Sequence, residues 1–435
     1  MKTLMRSTTL ALTAFTLFAA SGQAQSQTQA IAIVGGEIHT LTGPAITNGT
    51  VVIEDGRISA VGAGVRAPAG ARIIDASGLH VYPGMFDAFS QIGLGEISAV
   101  DVTMDVREGG NFNPHLAAAT AVHPSSEHIP VTRANGVTHA LAAPGAASGG
   151  IGGQATAIHL DGWTIEEMLI EQTVGLVMSF PSIQTQRCSP FGCFGPSGPF
   201  ARAEESYEEA LDEVRAWFDD ARRFQAAALA GSVQRDLKME AMVRVLDGDV
   251  PLLVLADQAR DIRHAVEFAE EQSVGIVIIS GREAWKEAEF LVEHDVPVLL
   301  QATQNVPSNN DDPYHTTFSG PAKLHEAGVR FAMTGWASSG PNPPSRTLPY
   351  EAANAVAFGL PEEEAFKAIT RYPAEILGLE DELGTIETGK IANLIVTDGA
   401  PLQIRTQMLH VIINGNEVSL ENKHKALWEK YRARR

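Results

Sequence analysis

The chain has 435 residues, 44% of them hydrophobic and 19% charged, an ordinary globular composition with ample material for a core. Its 32 Lys and Arg against 52 Asp and Glu give a net charge of −20, which argues against nucleic acid or an anionic membrane surface as partner. No apolar run approaches the length of a membrane span.

The first element is a targeting segment. Lys2 and Arg6 form a positive head, "STTLALTAFTLFAA" is apolar but too short to span a bilayer, and "GQA" ending at Ala24 offers a small-x-small cleavage site. Residues 1–24 therefore read as a signal peptide, and the mature protein is expected to be periplasmic or secreted.

Short strands follow. "AIAIVGGEIHTLTG" and "GTVVIEDGRISAVGAG" run apolar between turn signals, with Asp55-Gly56 as a hairpin turn. The far end repeats the pattern in "GKIANLIVTDG" and "LHVIINGNEVSL", with Asn414-Gly415 as the turn. Residues 30–82 and 384–420 are predicted to share one small β-sandwich, with a helical tail over 421–435.

The middle reads differently. "VPLLVLAD", "VGIVIISG", "VPVLLQATQ" and "VRFAMTGWA" are apolar strands separated by the helices "QARDIRHAVEFAEEQ", "REAWKEAEFLVEH" and "PAKLHEAG". Strands apolar on both faces and alternating with helices predict parallel βα units. Over residues 83–383 that predicts an α/β fold, a (β/α)₈ TIM-like barrel inserted in the sandwich. The acidic stretch 201–229 reads as a long helix. Cys188 and Cys193 flank a Pro- and Gly-containing turn, and an exported protein is expected to join them in a local disulfide.

Two stretches carry a resemblance. "ARIIDASGLHVYPGMFDAF" is similar to the lead-in to the barrel of the amidohydrolase superfamily, and "AITRYPAEILGLEDELGTIETGKIANLIVTDGAPL" to its end. The likeness runs from about Ala30 to Leu420, in the style of imidazolonepropionase-like and dihydroorotase-like exported members. It implies a metal-dependent hydrolase of C–N bonds. Such enzymes carry Asp-x-His-x-His after the Pro-Gly, so that two imidazoles at alternate strand positions share a metal. Here Asp87 stands in place, but the two His positions hold Phe89 and Gln91. The later ligand positions hold Leu255 followed by Asp257, Ser280, and Thr334-Gly335-Trp336. The resemblance thus places the chain in the superfamily with its metal-binding histidines missing, and no metal or other cofactor is expected.

Other polar groups offer alternative donors. His123 and His128 in "HPSSEH" lack the spacing of a zinc-binding helix and read as a polar turn. His139 reads as a strand residue. Asp101, Asp105, Arg107, Glu108 and His115 fall on a loop above the barrel, where either ligand binding or plain solvation fits. The Gly-rich "APGAASGGIGGQ" lacks the lysine of a phosphate-binding loop but lets a backbone approach a ligand closely.

The candidates at the barrel mouth are Asp87 and Asp257 as catalytic carboxylates. Ser90, Gln91, Ser280, Gln301, Thr334, Trp336 and Ser338 are the candidate substrate contacts. Two function classes stay open: an exported C–N hydrolase without conventional metal catalysis acting on a small molecule held in the barrel mouth, or a non-catalytic scaffold in a homo- or hetero-oligomer with a metal-competent amidohydrolase relative.

Overall fold

Two eight-stranded sheets organise the chain. The computed structural model describes residues 29–185, 187–189, 192–194, 198–309, 311–336 and 345–434, with side chains described outside 186–197. The expected signal segment 1–24, Ser338 and the side chains of Cys188 and Cys193 lie outside the described residues.

The chain begins with β1 (Ile31–Ile38), β2 (Ile46–Glu54), β3 (Arg57–Gly62), β4 (Arg72–Asp75) and β5 (His80–Pro83). The barrel follows with β6 (Met85–Ser90), β7 (Val137–Ala142), β8 (Gly150–His159) and β9 (Leu169–Ser179). A hairpin of β10 (Arg187–Ser189) and β11 (Gly192–Phe194) leaves the barrel. β12 (Leu252–Ala256), β13 (Ile276–Ser280), β14 (Val298–Leu300) and β15 (Phe331–Met333) complete it. β16 (Leu394–Thr397), β17 (Met408–Ile413) and β18 (Asn416–Glu417) return to the first sheet, and an exposed helix spans Lys423–Arg432.

Both chain ends build one sheet, ordered β18-β17-β16-β5-β1-β2-β3 with β4 beside β1. β16 runs antiparallel to β5, pairing Leu394 with Pro83, so the two ends join directly at the barrel's lead-in. The far strand β3 comes round to the segment before β16, where Ile58 N donates to Lys390 O. Inside lie Ile33, Ile38, Val51, Ile53, Val81, Leu394 and Ile412. The two expected turns form with positive φ at both central residues, Asp55-Gly56 and Asn414-Gly415, as a two-residue hairpin of the twisted kind requires. They also press on each other: a Cβ on Gly415 would stand 2.5 Å from Gly56 Cα.

The second sheet is the barrel, ordered β15-β14-β13-β12-β9-β8-β7-β6. Seven strands share a direction, but β8 is antiparallel to both β7 and β9. This corrects the expectation of parallel βα units throughout. β7, β8 and β9 are joined by a loop and a single helical turn, so the chain reverses where a crossover helix would have kept it parallel. The stretch read as a Gly-rich loop is accordingly half strand, since β8 starts at Gly150. The expected helix "REAWKEAEFLVEH" is also shorter, with helical residues at Ala288–Glu293 after a 3₁₀ turn.

Closure between β15 and β6 uses a wedge of chain. Ile369 O accepts from Phe86 N at 2.8 Å, and Ala368 O accepts from Met333 N at 2.8 Å. The barrel interior is solidly packed by Phe86, Phe89, Leu141, Val177, Leu253, Ile279 and Leu299. That inner cluster continues onto Ala374, Leu377 and Leu383, which is what the apolar positions of "PAEILGLEDEL" do physically. Outside, the 30-residue helix Phe200–Leu229 buries Tyr207, Leu211, Val214, Phe218 and Ala221, one stripe at three- and four-residue spacing.

Candidate functional site

At the mouth, β6 sets the central arrangement. Asp87 is fully buried, and its Oδ1 accepts from Gly335 N at 3.0 Å, pinning β6 to the end of β15. Oδ2 accepts no well-formed hydrogen bond, although the Ser345 hydroxyl faces the carboxylate. Burial pushes this carboxyl up to about 6, against the smaller opposing pull of Ser345 and the Gly335 and Phe89 N–H groups.

Phe89, two residues on, points into the barrel and is 1% exposed. Its ring meets Trp336 edge to face, with centroids 5.3 Å apart. Gln91 is also buried, and a methyl on Gly145 would sit 3.5 Å from its Nε2. Ser90 does structural duty: its hydroxyl donates to Leu141 O and accepts from Ile92 N, both at 3.3 Å. Thr334 does the same for β15, donating to Leu300 O and accepting from Trp336 N.

A separate network joins three of the predicted residues. Ser280 donates to Asp257 Oδ1 at 2.6 Å and lies 3.4 Å from Gln301 Oε1, which accepts from Asn305 Nδ2. Ser280 holds φ at +73°, a left-handed conformation that is costly for a residue with a Cβ. The structure thus brings Asp257, Ser280 and Gln301 together, ties Asp87 to Gly335 instead, and leaves Ser90 and Thr334 occupied with backbone.

The metal implied by the resemblance can be tested against these residues. Phe89 offers no lone pair, and Gln91, Leu255, Ser280 and Gly335 provide neither imidazole nor carboxylate. Among the described residues, no three His, Cys, Asp or Glu donors gather at the mouth. The residues present do not fit the conventional site. One donor cluster exists elsewhere, at Glu37, His39 and His80 on the end sheet, so the expectation of a chain with no metal-binding group at all is not supported.

Two loops that the sequence showed separately form one cavity of roughly 370 Å³ where β6 and β7 end. Arg107, Glu108, Asn111 and Asn113 face Gly145 and Gly152 across it. The glycines are required for packing: a Cβ on Gly152 would stand 2.3 Å from Gly145 O, and one on Gly150 2.5 Å from Asn111 O. Ile151 N donates to Asn111 O and Ile151 O accepts from Asn113 N, so the polar loop is stitched to β8. Of the other histidine candidates, His128 and His139 make structural contacts. His123 is exposed in a turn, and His128 Nε2 lies 3.0 Å from Glu96 O. His139 is buried beside His159, both within 3.3 Å of Asn393 Nδ2. Burial holds both rings well below the usual imidazole range, His159 at about 4, so both are neutral.

Comparison with known proteins agrees with this architecture. The chain matches the family model described as "Amidohydrolase family" over residues 154–420. It is 25% identical over 403 residues to amidohydrolase tasK of Hapsidospora irregularis, covering 84% of this chain but only 39% of that protein's length. A shorter stretch of 75 residues is 39% identical to imidazolonepropionase of Maricaulis maris, covering 17% of this chain and 19% of that one. The crystal structure of an amidohydrolase from Thermotoga maritima MSB8 superposes with a TM-score of 0.75 at 28% identity, over 89% of this chain and 99% of the other. With a barrel closed through Asp87, a sheet built from both ends and a family match over more than half its length, the chain belongs to the amidohydrolase family.

Proposed function

We propose that this hydrolase-fold protein does not run the family's metal-hydroxide chemistry and instead binds a small polar molecule at the barrel mouth. One observation carries the reading: Phe89 packed on Trp336 fills the position where an imidazole would have to reach a metal. A metal-activated water needs a cation held by several nitrogen or oxygen donors, and among the described residues no three His, Cys, Asp or Glu donors gather at the strand ends. The ligand proposed is an amide or cyclic amide. Arg107 and the asparagines of the 370 Å³ cavity offer donors, and Glu108 an acceptor.

Export belongs to the same proposal. The positive head, apolar stretch and small-residue site of residues 1–24 support it, as does the β10–β11 ladder, in which Cys188 stands directly opposite Cys193. N-terminal sequencing of the mature protein and thiol labelling of the unreduced, unfolded chain check both parts.

The functional test is turnover and binding together. Protein incubated with zinc and dialysed is assayed against amides, cyclic amides and dipeptides, and ligand binding is followed by thermal shift. The expected result is no zinc-dependent hydrolysis, with any thermal shift abolished by Arg107→Ala. Zinc-dependent hydrolysis that disappears in Asp87→Ala contradicts the proposal.

A further inference from the structure

The strands of the end sheet place three metal-type donors on one face. Glu37 and His39 are two residues apart along β1 and its continuation, so they point the same way. β5 runs parallel beside them with His80 opposite Glu37, and His39 N donates to Val81 O, which carries the register one rung further. Tyr82, two residues after His80, stacks on the His39 ring with centroids 4.1 Å apart and planes at 8°. That stacking fixes the imidazole plane and leaves its Nε2 facing the neighbouring donors.

The donor atoms then form a triangle. His39 Nε2 lies 3.2 Å from His80 Nδ1. Glu37 Oε1 lies 3.5 Å from His39 Nε2, and Glu37 Oε2 lies 3.7 Å from His80 Nδ1. Two metal–nitrogen bonds of 2.0–2.1 Å at a tetrahedral angle would separate the nitrogens by about 3.3 Å. The two nitrogens therefore have the spacing of one edge of a tetrahedral coordination shell, with a different Glu37 oxygen beside each and one ligand atom from all three residues within 4.8 Å of the others. Among the described residues it is the only group of three or more His, Cys, Asp or Glu donors close enough to share an ion. His39 and Tyr82 also line a cavity of roughly 450 Å³ with Leu41, Phe366, Glu362 and Pro401, between the end sheet and the outside of the barrel.

The geometry points to a divalent transition-metal site, with Glu37, His39 and His80 as protein ligands, His39 at the wall of this cavity, and the fourth position left to water or a small ligand. Imidazole nitrogen with one carboxylate suits zinc and its neighbours rather than calcium or magnesium, which take oxygen. Three protein ligands with one open position is the arrangement that leaves room for water or a small ligand. The ion would also clip β1 to β5, at the point where the sheet meets the barrel's lead-in. This site lies outside the barrel interior and does not depend on how the mouth is read.

The test is zinc titration of the metal-free full-length mature protein, read by elemental analysis after dialysis and by thermal melting. The expected result is about one zinc per chain with a raised Tm, because a metal that binds only the native state stabilises it by mass action. His39→Gln and His80→Asn should each abolish both effects, while Asp87→Asn should leave both intact. A second measurement needs no variant: zinc should protect His39 and His80 of the wild-type protein from carbethoxylation, read by peptide mass spectrometry. No stoichiometric zinc on the wild type, zinc retained in both histidine variants, or unprotected rings in zinc-treated protein would each overturn the proposal and leave the triangle a hydrogen-bonded cluster.

Discussion

Phe89 and Trp336 meet edge to face, their ring planes at 85°, across the seam where the first and last barrel strands approach. Phe89 is at the end of β6, Trp336 just past β15, and the Asp87–Gly335 hydrogen bond runs beside them. A position suited to an imidazole in a metal enzyme here contributes to the barrel's apolar filling. Edge-to-face aromatic pairs add about 0.5–1.5 kcal/mol beyond the area they bury.

Phe89→Ala should therefore cost about 3–5 kcal/mol, the range for emptying a buried aromatic site. Denaturant unfolding measures it. The double variant Phe89→His/Gln91→His should gain no hydrolytic activity, because Leu255, Ser280 and Gly335 still supply no further ligands. A loss below about 1 kcal/mol in Phe89→Ala would mean the ring is not part of the core.

Asp87 should make stability fall as pH rises. Its carboxyl is raised by burial from the ordinary aspartate value to about 6, so the folded state holds a proton the unfolded chain has released. Its contribution is fully present below the ordinary aspartate range and is lost as pH climbs through 6, by about 3 kcal/mol in all. Asp87→Asn removes the titrating group, so relative to wild type it should gain stability between pH 4 and pH 8. An unchanged difference across that range contradicts a carboxyl whose proton is held by burial.

The His139–His159 pair acts with the opposite sign. Both rings are held neutral by burial, His159 at about 4, so the unfolded chain binds protons the folded state refuses. Their contribution is complete above pH 6.5 and is lost as pH falls toward 4, by about 3 kcal/mol for His159 alone. His159→Gln should flatten the acid limb of the stability–pH curve. A curve identical to wild type would show that His159 charges freely in the native protein.

How much of this was legible in the sequence depends on the range of the interaction. The Asp55-Gly56 and Asn414-Gly415 turns were readable because turn chemistry is local. Asp87, Phe89 and Gln91 could be placed because they follow Pro83-Gly84 in a recognisable lead-in. The partner of Asp87 was not readable, since Gly335 lies 248 residues away and contributes only a backbone N–H. The reversal of β8 left no signal either, because an apolar glycine-rich run has no direction. Glu37 and His39 sit in a stretch read only for its apolar strand pattern, and His80 joins them only through the β1–β5 pairing, 41 residues on.

The contact between the two terminal hairpins makes another prediction. Gly415→Ala should cost about 2–4 kcal/mol, combining a positive φ with a clash against Gly56. Gly378→Ala is the control, because Gly378 also has positive φ but open space around it, and it should cost only about 1 kcal/mol. Equal losses from the two substitutions, measured by thermal unfolding, would show that the turns do not press together.

The central claim is that the barrel mouth holds no conventional catalytic metal. It is tested most directly by the metal content of the double variant His39→Gln/His80→Asn, which leaves the mouth as the remaining place for the family's metal. The variant is incubated with zinc, dialysed and analysed for metal per chain. The account predicts almost none, because Phe89, Gln91, Leu255 and Gly335 cannot hold it. Near-stoichiometric zinc in that variant, lost together with an amidase activity on Asp87→Ala, would contradict the account and make this a metalloenzyme of the barrel mouth.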